Sequence, residues 1–258
     1  MNVMMAAVRK AGRSLSKDFG EVEQLQVSVK GPGNFVSKAD LRAEDILHAE
    51  LSKAREGYSF LMEERGSVPG PDKTHVWVVD PLDGTTNFLH GIPFFAVSLA
   101  LVREGEVVAG IVHNPIMDET FTAEKGKGAF LNDKRIRVAG RKILADAVIA
   151  TGVPHRGWGD RVRYLEECRK IASEVSGMRS TGSAALDLCF TAAGRFDGYW
   201  QRDLAAWDIA AGLIMVTEAG GFLSDGDGKQ KMLDTGSVIA GNQNMLKLLT
   251  AMTVPKPA

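Results

Sequence analysis

The chain reads as a mixed α/β protein, and three patterns in its 258 residues carry that reading. Helical periodicity opens it, hairpin-connected strands run to about residue 138, and strands alternate with helices from about residue 143 onward. These patterns divide a single unit into an N-terminal α+β lobe of about 1–142 and a C-terminal α/β lobe of about 143–258.

Val3 to Phe19 carries Ala7, Ala11 and Leu15 on one stripe and predicts an amphipathic helix ended by Gly20. Lys30 to Asn34 reads as a loop before a short Phe35-Val36 strand. Ser37 or Asp40 caps a helix over Asp40 to Arg55, with Leu41, Ile46, Leu47 and Leu51 facing inward. Tyr58 to Met62 is an apolar strand that ends in Glu63 and Glu64, and the Gly- and Pro-rich stretch Gly66 to Thr74 is a loop. Val76 to Val79 is a strand buried on both faces, stopped at Asp80 by Pro81.

Phe94 to Val102 and Val107 to His113 form a hairpin. Strands follow at Glu119 to Ala123, Gly128 to Leu131 and Arg135 to Val138, the last two joined by Asn132-Asp133. In the second half, strands Ala147 to Thr151, Met178 to Ser180 and Phe196 to Trp200 alternate with helices Trp158 to Ser173, Ser183 to Ala193 and Asp208 to Ala219. Ser183 reads as an N-cap and Gly220-Gly221 as a helix stop. A hairpin around Asp225-Gly-Asp-Gly228, a strand at Val238 and a helix from Asn242 to Met252 complete the chain.

With 45% hydrophobic and 24% charged residues the chain can bury a sizeable core. A net charge of −1 gives no electrostatic case for nucleic acid or an anionic membrane as the main partner. Arg161, Arg163, Arg169 and Lys170 read as a solvated helix face. Cys168 and Cys189 stand alone as packing residues, which suits a reducing, cytoplasmic setting. Arg9, Lys10 and Arg13 interrupt the apolar N-terminus, unlike a signal peptide, and Asn87, His90 and Pro93 break up the longest uncharged span, so no membrane helix is expected.

The chemistry concentrates at Asp80-Pro-Leu-Asp-Gly-Thr-Thr-Asn-Phe88. Ligand crevices in α/β sheets open at the carboxyl ends of strands, where Asp80 stands. Asp83 follows one turn later, and two carboxylates facing one point repel unless a cation lies between them. Hard oxygen ligands suit magnesium. The amides of Gly84 and Thr85, opening a helical turn, offer donors to a phosphate. Glu63 and Glu64 end a neighbouring strand and can pool with Asp80, and Asp208 at a buried helix start serves as an N-cap or a metal ligand. Asp225-Gly-Asp-Gly228 lacks the closing glutamate of a calcium loop and reads as a turn.

Glu63-Glu64, Asp80 to Phe88 and Trp207-Asp208-Ile-Ala-Ala-Gly212, in this order and spacing over essentially the whole chain, resemble the inositol monophosphatase family. The resemblance implies an αβαβα sandwich of the inositol monophosphatase and fructose-1,6-bisphosphatase type, usually dimeric. It implies a lithium-sensitive phosphatase holding two or three magnesium ions, most often acting on a small phosphorylated polyol. Carried over by motif position, Glu63, Asp80, Asp83, Asp208 and the Leu82 carbonyl become metal ligands. Thr85 and Glu63 activate water, with Asp80 bridging two ions. Gly84, Thr85, Ser183, Ala184, Gln201 and Asp208 become substrate contacts, with Glu64, Asp40 and Lys30 in support.

Three positions depart from the family's usual pattern: Met62 stands where Gly is common, Asn34 where Asp is, and Gln201 where a glutamate touches a substrate hydroxyl. The resemblance makes myo-inositol 1-phosphate the expected substrate, with histidinol phosphate and fructose 1,6-bisphosphate as alternatives. A non-catalytic, regulatory or RNA-associated protein on the same fold is the alternative of another class.

Overall fold

The structure, a computed structural model, describes residues 1–21, 27–31, 34–154 and 159–253, and only the backbone of 27–31 and 34–36. Helix α1 (Asn2–Phe19) buries Met4, Ala7, Val8, Ala11 and Leu15 along one stripe. Strands β1 (Val27–Gly31) and β2 (Asn34–Ser37) pair antiparallel across much of the expected loop. Helix α2 (Lys38–Ala54) opens with a capping box in which Ser37 and Asp40 both take part. Leu41 is exposed, contrary to expectation; the buried stripe is Ala39, Ala43, Leu47 and Leu51, with the acids Asp40 and Glu44 beside it. Small and acidic residues on the inward face disguised its phase in the sequence.

Strands β3 (Ser59–Met62), β4 (Gly66–Val68) and β5 (His75–Asp83) follow. β4 corrects the expected loop: Gly66 supplies a positive φ of 70° and the chain turns back to pair Leu61 with Ser67. Helix α3 (Thr85–Leu89) then precedes β6 (Ala96–Arg103), β7 (Glu106–Asn114), β8 (Glu119–Glu124), β9 (Gly128–Leu131) and β10 (Lys134–Arg135). β5 does not stop at Asp80. Its pairing with β6 slips and resumes at Asp83, so Pro81 occupies a bulge where its missing N–H is tolerated. The eight strands lie in the order β10-β9-β8-β7-β6-β5-β3-β4, antiparallel except that β3 runs parallel to β5.

The second half adds β11 (Val148–Thr151), α4 (Arg161–Ala172), β12 (Gly177–Arg179), α5 (Ala184–Ala192), β13 (Gly198–Gln201), α6 (Ala206–Glu218), β14 (Phe222–Ser224), α7 (Met232–Thr235), β15 (Val238–Gly241) and α8 (Gln243–Thr253). Its five-stranded sheet has the order β12-β11-β13-β15-β14, in which only β15 runs opposite to the other four strands. The expected Trp158 start of α4 lies outside the described residues.

Period-two alternation along β5 explains the layering. Trp77 and Val79 pack against α1 and α2, whereas Val78 faces α5 and α6. On the far side of α5 and α6 lie Tyr199, Val238 and Ala240 of the small sheet. The opposite face of that sheet, with Ile149, Trp200 and Ile239, is covered by Ile171 of α4 and Met245 and Leu249 of α8. The result is the expected αβαβα sandwich.

The central layer is tight. A Cβ on Gly110 of β7 would lie 3.0 Å from the Ala211 backbone of α6 and 2.8 Å from the Ile214 side chain. Gly110→Val should therefore lower unfolding stability by about 1–3 kcal/mol through overpacking. Gly140→Ala, with nothing within 4 Å of its Cβ, should leave stability nearly unchanged in the same urea titration. Equal effects from the two substitutions would contradict this packing.

Candidate active site

The end of β5 opens on a cleft of about 460 Å³ bordered by Glu63, Asp80, Leu82, Asp83, Gly84, Thr85 and Asp208, among others. Parallel pairing of β3 with β5 extends through the Glu63 N–H, which donates to the Val79 carbonyl at 3.2 Å, so the acidic ends of the two strands arrive together. Asp208 is not the N-cap. It is the third residue of α6, and its Oδ2 reaches back to accept from the Ala205 N–H at 2.7 Å.

Each aspartate is braced by neighbouring donors. Asp80 Oδ1 accepts from the Leu82 N–H at 2.9 Å. Asp83 Oδ2 accepts from Ser183 Oγ at 2.6 Å and from the Ala185 N–H at 2.7 Å, so the start of α5 is fastened to β5. The Ala184 amide contributes to the same carboxylate. Ser183, as expected, also caps α5 by accepting from the Leu186 N–H. Ser183 and Ala184 thus border the cleft while bonding to Asp83.

Burial and crowding of like charge dominate the electrostatics. Burial pushes Asp80 well above the usual carboxylate range, and the charges of Glu63, Asp83 and Asp208 push it further. Asp83 is raised to about 6 by burial, against the opposing pull of its Ser183 and Ala185 donors. Asp208 is raised to about 8 by burial and then by Asp83, although one edge of its side chain is open to the cleft.

Gly84 turns the chain from β5 into α3 at φ 98°, and a Cβ there would stand 3.1 Å from the Phe94 carbonyl oxygen. Thr85, the first residue of α3, directs its hydroxyl to Asp40 Oδ1 at 3.0 Å and to the Leu82 carbonyl at 3.1 Å. Asp40 is fully buried, and its other oxygen holds the Ser37 N–H at 2.8 Å. Asn87 ties α3 to the Phe94 and Thr181 carbonyls, each at 2.7 Å.

Across the cleft, Gln201 Oε1 accepts from the Tyr199 hydroxyl at 2.7 Å. Its amide lies over Gly152, where a Cβ would be 2.1 Å from Oε1. Glu64 is not among the cleft's bordering residues; its N–H donates to Glu44 Oε2 at 2.8 Å. The side chains of Lys30 and Asn34 lie outside the described residues.

Several bordering residues escaped the sequence reading, Asp187, Gly152 and Arg161 among them. Asp187 is buried beside the cleft and accepts from Thr181 Oγ1 at 2.5 Å. A single acid in the otherwise apolar first turn of α5 was the available signal. Gly152 was not singled out at all. Arg161, expected on a solvated face, borders the cleft and donates to the Pro154 carbonyl at 3.1 Å. Arg163 is likewise built in, donating to buried Glu167 at 3.0 Å.

The donor set consists of carboxylate, carbonyl and hydroxyl oxygens, and its excess negative charge suits a hard divalent cation. Among the described residues, no three His, Cys, Asp or Glu side chains converge tightly enough to hold one ion; these carboxylates border a common cleft instead.

Raised folded-state pKa values mean that the folded protein binds protons that the unfolded chain has released between about pH 4 and 8. Stability of the chelated protein is therefore lost as pH rises through that window. In a chelating buffer, Asp208→Asn should gain stability relative to wild type from pH 5 to pH 8, measured by thermal melting. Taking the difference cancels His48 and His113, which burial pushes down. A difference that does not change with pH would contradict the crowding.

The whole-chain comparisons agree with this architecture. Residues 1–256 match the sequence model of the Inositol monophosphatase family. The inositol-1-monophosphatase of Mesorhizobium japonicum is 62% identical over 100% of this chain and 97% of its own. The Nus factor SuhB of Pseudomonas aeruginosa is 39% identical over 99% of this chain and 96% of its own. The crystal structure of the extragenic suppressor protein suhB from Bartonella henselae superposes with a TM-score of 0.96 at 55% identity, covering 98% of this chain and 97% of that one. The chain belongs to the inositol monophosphatase family and is a phosphoric monoester hydrolase.

Proposed function

We propose that the chain hydrolyses a small polyol phosphomonoester, foremost myo-inositol 1-phosphate, in a magnesium-dependent reaction. One observation carries the reading: Glu63, Asp80, Asp83 and Asp208 border the same cleft as the Gly84-Thr85 turn. Glu63, Asp80, Asp83, Asp208 and the Leu82 carbonyl would hold the magnesium. When bound, magnesium would supply Lewis acidity for a water nucleophile and for the charge on the phosphoryl oxygens.

The chain's own groups divide the remaining work. The Thr85 hydroxyl spends its single proton on Asp40 or on the Leu82 carbonyl, so its lone pairs are left to accept a hydrogen from the attacking water and aim it. Glu63, which also borders the cleft, is the carboxylate that takes up the water's other proton, and that proton can return through solvent to the departing alcohol oxygen. The N–H groups of Gly84 and Thr85, at the start of α3, face the negative charge of the phosphoryl group. Gln201, whose oxygen already accepts from Tyr199, offers its amide N–H to the leaving group.

The inositol-1-monophosphatase name of the Mesorhizobium relative supports this substrate. The Nus factor name of the Pseudomonas relative favours a second reading, in which the fold also serves a regulatory, RNA-associated role.

Phosphate release from myo-inositol 1-phosphate, L-histidinol phosphate and fructose 1,6-bisphosphate, with and without magnesium, separates the substrates. Magnesium-dependent turnover favouring inositol phosphate is expected; preference for either competitor overturns the substrate assignment. Asp83→Asn keeps an oxygen for Ser183 and Ala185 and should stay folded, while turnover falls by about 100-fold or more, beyond the cost of a partner outside the ligand set. Wild-type turnover in that variant would refute its role.

A further inference from the structure

Glu44 is a buried carboxylate that the proposed chemistry leaves unused. It sits one turn beyond Asp40 on α2, and burial pushes its carboxyl up. Its Oε2 accepts from the Glu64 N–H at 2.8 Å, and its Oε1 stands 3.2 Å from Arg65 Nε. Arg65 in turn pairs with Asp45.

Spacing by four places Asp40, Glu44 and His48 on one stripe of α2. Each touches a different part of the site's framework. Asp40 receives the Thr85 hydroxyl, Glu44 holds the turn after β3, and the His48 ring packs on Phe60 of β3 with centroids 4.7 Å apart. An apolar residue would fill the space beneath α2 at lower desolvation cost than a carboxylate, so the bonds Glu44 makes are its distinguishing contribution. The Glu64 N–H shares a rigid peptide plane with the Glu63 carbonyl, and fixing that plane limits the directions open to the Glu63 side chain.

We propose that Glu44 is a positioning residue for the cation site: by anchoring the Glu63–Glu64 peptide to α2, it sets the Glu63 carboxylate against Asp80 and Asp83. This rests on the reading of Glu63 as a cation ligand. Hydrogen-bonded partners behind metal ligands govern affinity as well as orientation.

Mn²⁺ binding to the chelator-treated full chain, followed by the electron paramagnetic resonance of the free ion, tests the proposal without turnover. Glu44→Leu removes the acceptor and should weaken Mn²⁺ binding about 10- to 100-fold. Glu44→Gln keeps an oxygen for the Glu64 N–H and should bind close to wild type. Glu44→Asp, one methylene shorter, should fall between them, and it decides the matter if circular dichroism shows the leucine variant unfolded. Wild-type affinity in a folded leucine variant, or in the aspartate variant where leucine does not fold, overturns the proposal. A glutamine variant as weak as the leucine one also overturns it, because charge rather than position would then be at work. Wild-type protein that binds no Mn²⁺ overturns the underlying reading of the cation site instead.

Discussion

The crowding of negative charge at the end of β5 is the constraint on which the rest of this structure depends. Asp80 and Asp83 are 2% and 9% exposed, and Glu63 and Asp208 border the same cleft. Carboxylates so placed are costly to keep ionised, and burial pushes Asp80, Asp83 and Asp208 upward. The surrounding elements hold them there. The start of α5 bonds to Asp83, the backbone before α6 bonds to Asp208, and the Pro81 bulge lets Asp83 rejoin the sheet after Asp80. Stability is sacrificed locally to prepare a site for a strongly charged ligand, a trade expected where binding supplies the compensation.

Helix α2 connects this site to the core. Its apolar stripe rests on the large sheet, and its acidic stripe reaches Thr85 and Glu64. Packing and chemistry thus share one rigid element, which favours a defined geometry over a mobile one. On the other side, α5 and α6 fill the layer between the sheets and bring their first turns to the cleft. The cleft is therefore bordered by both halves of the chain.

Much of this was legible in the sequence because it depends on local chemistry. The apolar run before Asp80, the glycine at the turn into α3, and the serine caps at Ser37 and Ser183 act over a few residues and leave signals of that length. What was not legible depends on distant partners. Leu41 read as core because helical phase was judged by large apolar residues, whereas alanines and buried acids face inward. The bond between Glu44 and Glu64 spans twenty positions, and that between Ser183 and Asp83 a hundred, so neither leaves a periodic trace. Asp187 stood out only as an acid in an apolar segment, a pattern that a solvated helix start also produces.

In the function proposed above, this carboxylate cluster is a cation-dependent phosphatase centre. Anomalous diffraction from crystals soaked in Mn²⁺ addresses it most directly, because it locates the ions without assuming a substrate. Peaks are expected in the cleft beside Glu63, Asp80, Asp83, Asp208 and the Leu82 carbonyl. A cleft without peaks at saturating Mn²⁺, or ions bound only at other acids such as Asp225 and Asp227, would contradict it.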